Sequence, residues 1–236
     1  MIIPVGGGDS ADDLPPDTPD GSGGNTGEPG AARDPSTARD PRAARDTAST
    51  NSVRPGTLLI ASTDLYESMF ARTVIYIIEH NDAGSLGVIL NRMSQTAVHN
   101  LLPRWTDLAA SPQALFIGGP VKQDAALCLG VVGHGVDIEE YPALRPVAGR
   151  VVLVDLDEDP EKLRGVLDGV RVFAGYSGWG IGQLDAELHQ DSWLLASALP
   201  RDLLAPPAVD VWADVVRRQP WPLPLLATYP VDVSQN

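Results

Sequence analysis

Ser177 stands in Gly175-Tyr176-Ser177-Gly178-Trp179, a run that compares with the G-x-S-x-G nucleophile elbow but carries Trp179 where the last glycine belongs. An elbow nucleophile needs a histidine base, and spacing alone ties none of His80, His99, His134 or His189 to Ser177. The same glycines nearly spell G-x-G-x-x-G, with Gln183 in the last place and no Walker lysine, so the loop is incomplete as a nucleotide site. Backbone N–H groups of a helix starting near Gly182 would still suit an anion. Asp185 and His189 share a helix face at i, i+4, as a metal pair does, yet no third ligand or cysteine cluster adjoins them. A solvated charged face is the simpler reading there, and no metal or other cofactor is expected. His99 and His134 read as surface residues. Cys128, the only cysteine, alternates with apolar neighbours and reads as a small buried hydrophobe with no cation beside it to activate the thiol. Asn91-Arg92 follows an apolar run, and the pair either lines a site or closes a hairpin.

These residues have to be held by short, β-rich elements. Thr57–Ala61 and Thr73–Ile78 are strands, the second apolar on both faces and so expected in the middle of a doubly covered sheet. His80–Gly84 predicts a tight turn and Leu86–Leu90 the returning strand of a hairpin. Thr96–Leu102 predicts a short helix stopped by Pro103. Leu115–Ile117 runs into a turn at Gly118-Gly119-Pro120, and Ala126–Val132 and Val151–Asp155 are further strands. Asp159-Pro160 opens a predicted helix whose Leu163, Val166, Leu167 and Val170 recur at helical spacing. Val170–Ala174 then feeds the glycine cluster of Gly175, Gly178, Gly180 and Gly182, a backbone expected to turn sharply and present Tyr176, Trp179 and Gln183. Gln183–Gln190 predicts a helix, Trp193–Ala198 a strand, and Pro206-Pro207 the start of a last helix carrying Ala208, Val211, Trp212 and Val215. Pro222, Pro224 and Pro230 are expected to keep the end of the chain extended. Strands outnumber helices and adjoin by hairpins, which predicts an α+β fold with a mixed sheet.

Composition bounds the function. The chain has 236 residues, 43% of them hydrophobic, and a formal net charge of -14. Such acidity argues against a nucleic-acid backbone as a direct partner, because phosphate binding depends on Lys and Arg. A single cysteine allows no intramolecular disulfide, which fits a reducing cytoplasm. The first residues carry neither a basic segment nor a long apolar run, and no apolar stretch is long enough to span a membrane, so a cytoplasmic protein is expected. Residues 1–52 form a separate block without one aromatic residue, rich in Gly, Pro, Asp and Ala, with an imperfect repeat at Ala32-Arg33-Asp34-Pro35, Ala38-Arg39-Asp40-Pro41 and Ala44-Arg45-Asp46. That block reads as a disordered tail, and 53–236 as one folded domain.

Five segments, in order, resemble the YqgE/AlgH family. They are Gly56–Ala61; Phe70–Tyr76 with Glu79-His80; Gly84–Arg92; Gly118-Gly119-Pro120-Val121; and Gly175–Trp179 with Gly182-Gln183-Leu184 and Glu187. The resemblance implies an α+β fold on a mixed, bifurcated sheet partly rolled into a barrel with flanking helices. It implies no particular enzymatic activity, and a transcriptional-regulator label that rests on genetics rather than on a DNA-binding motif. The family commonly has Ala where Ser177 stands, which weakens the serine-nucleophile reading.

Together these readings lead to a non-enzymatic binding or regulatory module, acting on transcription indirectly if at all. Its expected pocket brings together Asn91, Arg92, Tyr176, Trp179 and Gln183, shaped by turns at Gly118, Gly119, Pro120, Gly175, Gly178 and Gly182, with Arg92 offering its charge to an anionic partner. The partner, protein or small molecule, is not specified by the sequence. The alternative is a hydrolase-like enzyme of small molecules using the Gly175–Trp179 turn.

Overall fold

The computed structural model describes residues 52–65 and 69–228. The disordered tail expected over 1–52 lies, but for Ser52, outside the described residues, as does Pro230. Ten strands carry the described fold: β1 (Thr57–Ala61), β2 (Val74–Asn81), β3 (Gly84–Ile89), β4 (Met93–Ala97), β5 (Ala114–Ile117), β6 (Val121–Val132), β7 (Leu144–Ala148), β8 (Val151–Val154), β9 (Leu167–Trp179) and β10 (Trp193–Ser197). The helices are short: α1 (Val98–Leu101), α2 (Gln183–His189), α3 (Pro200–Leu203) and α4 (Val211–Arg217). The architecture is α+β, as expected.

The strand order is β10-β1-β2-β3-β9-β6-β8-β7, with β5 joining β4 to β9. β9 is where the sheet divides. Its residues from Leu167 to Tyr176 pair antiparallel with β6, Phe173 and Ala174 pair parallel with β5, and Ser177–Trp179 pair antiparallel with β3. One long strand thus serves two branches, and the sheet is mixed, bifurcated and curled into a half-barrel.

Strand alternation explains the core around β1 and β2. Leu58, Ile60, Val74 and Tyr76 pack on one side with Trp212, Val215 and Val216 of α4. Leu59, Ala61, Ile75 and Ile77 pack on the other with Trp179, Leu184 and Trp193. β2 is therefore covered on both faces, as its unbroken apolar run predicts.

Four expectations are corrected. Pro160 opens only a 3-10 turn, Pro160–Leu163, capped by Asp159, whose side chain accepts from Glu161 N at 3.1 Å. Leu163, Val166, Leu167 and Val170 are all buried in one cluster, so their pattern marked burial correctly. Gly165, at φ 75°, ends the turn, and the β-branched run from Val170 continues as strand. The last helix starts at Val211 rather than at Pro206, because Asp210 caps it by accepting from Ala213 N at 3.0 Å. Thr96 and Ala97 belong to β4, and only Val98–Leu101 is helical. The segment around Pro222 and Pro224 is not extended but forms a 3-10 run over Leu223–Thr228, with Leu225 N donating to Pro222 O.

The first half of the glycine cluster is also not a turn, and the chain turns only at Gly180–Gly182. Gly175 to Trp179 lie inside β9. What the glycines allow is a close crossing: a Cβ on Gly118 would sit 2.2 Å from the Gly175 carbonyl oxygen, and one on Gly119 2.3 Å from the Tyr176 carbonyl carbon. The Gly118-Gly119-Pro120 turn between β5 and β6 therefore presses its backbone directly onto β9.

The cavity at the end of the long strand

β9 ends at Trp179, and α2 begins after three more residues. Gly182 makes that join by adopting φ 67°, a left-handed conformation suited to glycine. The turn is tied by the Gly180 N–H, which donates to Gln183 Oε1 at 3.1 Å. On α2, Gln183 and Glu187 stand one turn apart on one face, and Gln183 Nε2 donates to Glu187 Oε1 at 3.0 Å. The other oxygen of Glu187 accepts twice, from Trp179 Nε1 at 2.9 Å and from Trp193 Nε1 at 2.8 Å. One carboxylate thus binds the ends of β9, α2 and β10 together. Both its oxygens act as acceptors, the geometry of an ionised group.

The rings beside it meet nearly at right angles. Trp179 and Trp193 lie 6.3 Å apart at 82°, and Phe70 and Trp193 5.9 Å apart at 80°. Edge-to-face packing of this kind places a positive ring edge on a negative ring face. Together with Glu187, Gln183 and Pro120 these rings line a cavity of about 450 Å³. That volume lies within the range of small-molecule sites, roughly 300–1,000 Å³.

Of the residues expected to share one pocket, Trp179 and Gln183 line this cavity, and Tyr176, Asn91 and Arg92 do not. The reason for Tyr176 is strand parity. It packs against the core beneath α4, whereas Trp179 packs with Leu184 and Trp193 on the opposite side. Asn91 instead accepts from Val74 N at 3.0 Å and donates to Arg72 O at 2.8 Å, and Arg92 Nη2 donates to Ala71 O at 2.6 Å. The pair braces the segment that follows Phe70. Among the expected turns, Pro120 and Gly178 reach the cavity, while Gly118, Gly119 and Gly175 form the crossing beneath it.

Sequence reasoning did not assign Phe70, Glu187 or Trp193 to the site. Glu187 carried a readable signal, its i, i+4 spacing from Gln183. Trp193 carried none, since only the pairing of β10 with β1 brings it here.

Ser177 is 1% exposed and donates its hydroxyl to Gly118 O at 3.1 Å, so it serves the crossing. A serine that does meet a histidine is Ser85, whose Oγ lies 2.8 Å from His80 Nδ1 across the β2–β3 hairpin. No carboxylate among the described residues holds that imidazole, as a catalytic triad would require. His189 Nδ1 meets the Asp185 carbonyl rather than its carboxylate, and the described residues contain no cluster of three His, Cys, Asp or Glu placed to hold a metal ion. Cys128 is 2% exposed, and burial pushes its thiol far above the ordinary range. No helix among the described residues is long and apolar enough to cross a membrane.

Residues 58–224 match a family described as AlgH-like. A UPF0301 protein of Rhodococcus jostii is 62% identical over 191 residues, covering 80% of this chain and 95% of the relative. A UPF0301 protein of Mycobacterium tuberculosis is 61% identical over 184 residues, 78% of this chain and 91% of the relative. Among solved structures, a Corynebacterium diphtheriae protein superposes with a TM-score of 0.74 at 44% identity, covering 76% of this chain and 94% of that one. The AlgH protein of Pseudomonas aeruginosa superposes at 0.55 with 26% identity, covering 75% of this chain and 95% of its own.

Proposed function

The chain belongs to the AlgH-like family, and we propose that its domain is a cytoplasmic, non-enzymatic binding module whose site is the cavity at the end of β9. One observation carries this reading. Segments far apart in sequence, at Phe70, at Pro120, at Ser177–Trp179 and at Gln183–Glu187, each supply a wall of the same cavity. These are also segments on which the family resemblance rests. Packing alone does not require such distant pieces to meet around empty space. Ser177 supports the non-enzymatic reading, because its hydroxyl is buried and already engaged. A regulatory role fits a module that reports ligand occupancy to a protein partner, since a net charge of -14 opposes direct contact with a phosphate backbone.

A thermal-shift screen of the full chain against nucleotides, metal ions and small metabolites tests the reading. A ligand that binds the folded state at a hundred times its Kd adds about 2.7 kcal/mol, or roughly 5–10 °C in Tm for a chain of this size. That shift should disappear in a Trp179→Leu variant that still unfolds cooperatively. A screen with no shift counts against a small-molecule site and in favour of a protein partner.

A further inference from the structure

We infer that the cavity takes a small organic ammonium cation, seated against Trp179, Trp193 and Phe70 and held by Glu187; this rests on the binding reading above and names its ligand class. Four observations lead to the charge and the kind of cation. First, Glu187 is satisfied only by neutral donors, two indole N–H groups and one amide, so its negative charge is solvated but not neutralised. No Lys or Arg among the described residues pairs with it. Second, the described residues lining the cavity include no Lys, Arg or His. An anionic ligand would meet a carboxylate and no counter-charge, which disposes of the anionic partner expected for Arg92. Third, three aromatic residues line the cavity, Trp193 meeting Phe70 and Trp179 each at close to a right angle, and aromatic rings attract a cation with little hydration through their negative quadrupole. Fourth, a hard metal ion needs several oxygen ligands. Here the one carboxylate has already accepted three hydrogen bonds, and the rest of the described lining offers only neutral amide and hydroxyl oxygens, with no second carboxylate. An alkylated ammonium group needs no such ligand set, because its charge is spread over apolar surface that the rings can cover. The net charge of -14 raises the local concentration of any cation near the cavity mouth.

The test is isothermal titration of the full chain with tetramethylammonium, choline and n-butylammonium, each beside its neutral carbon isostere. Wild type is compared with Glu187→Gln, which keeps an oxygen to accept from the indoles, and with Asp185→Asn, which removes an equal charge from the same helix outside the cavity. Urea midpoints establish that each variant is folded. At least one cation is expected to bind about tenfold or more tightly than its isostere. That preference should vanish in Glu187→Gln and persist in Asp185→Asn. Equal binding of cation and isostere overturns the inference while leaving a binding site in place. So does a cation preference that survives in Glu187→Gln. If none of the probes binds, the ammonium assignment fails, and the thermal-shift screen alone decides whether the cavity binds anything.

Discussion

Arg171 and Glu187 each bring a charge against the core, and the fold treats them in opposite ways. Arg171, in the middle of β9, is 3% exposed. Its guanidinium donates to the carbonyls of Ser111 and Ala205, both at 3.1 Å, and lies 4.2 Å over the Phe116 ring. Burial pushes it down to about 10, which leaves it charged at neutral pH. Glu187 is half-buried, gripped from one side by three donors and open to a cavity on the other. The sealed charge ties two loops to the central strand. The half-open one has the same structural task towards its donors, yet keeps a free side. A charge enclosed by the protein's own carbonyls cannot be removed without stranding them, and a charge with one open side is available to a ligand.

If this contrast is right, substitutions at the two sites should separate stability from binding. The largest effect is expected for Arg171→Ala, which strands two carbonyls and leaves a hole, costing about 3–5 kcal/mol in urea denaturation. Arg171→Met fills the hole without the charge and should recover a substantial part of that loss. A loss as large as alanine's would make the hydrogen bonds, rather than the packing, decisive. Glu187→Leu is expected to cost about 2–4 kcal/mol, because two buried indole N–H groups lose their acceptor. Glu187→Gln should cost only about 1 kcal/mol while removing the cation preference. Arg92→Ala sharpens the contrast from the binding side. It should lose about 1–2 kcal/mol by freeing the Ala71 carbonyl, yet leave the ratio of cation to isostere affinity unchanged.

A last effect, confined to high pH, belongs to a sealed group that burial keeps neutral at neutral pH. The Cys128 thiol is raised in the folded chain above its ordinary 9.0. Below that pH both states hold the proton, and the thiol adds no pH dependence. Above it the unfolded chain loses the proton while the folded chain keeps it, so stability falls as pH rises, by at most about 1.4 kcal/mol per pH unit. Buried Tyr76 adds the same trend above 10.0, where Arg171 begins to oppose it. Between pH 9 and 10 the slope therefore belongs mainly to Cys128, and Cys128→Val should flatten it in thermal melts.

Much of the fold was legible because β-branched runs bounded by glycine and proline leave few alternatives to a strand. β1, β2, β3 and β10 were readable in this way, as was the covering of β2 on both faces. The helix expected after Pro160 failed because Leu163, Val166, Leu167 and Val170 are buried from two different elements, and burial alone produces the same spacing. The glycine cluster misled for a related reason. Glycine in a strand signals either a turn or a close backbone neighbour, and the neighbour, Gly118-Gly119, lies more than fifty residues earlier. The same limit separated Tyr176 from Trp179. Adjacent motif residues look like one site in sequence, but a strand sends them to opposite faces. Glu187 was within reach of local spacing, whereas Trp193 depended on a strand pairing that no local pattern encodes.

The most direct test follows the indole N–H resonances of the full chain, labelled with 15N-tryptophan, as tetramethylammonium is added. Trp105 and Trp212 donate to the Leu156 and Ala61 carbonyls away from the cavity, and Trp221 is 80% exposed, so all three act as internal references. The account predicts that Trp179 and Trp193 shift together and saturably while the other three stay in place. Unmoved Trp179 and Trp193 signals, or five indoles drifting alike without saturation, would contradict it.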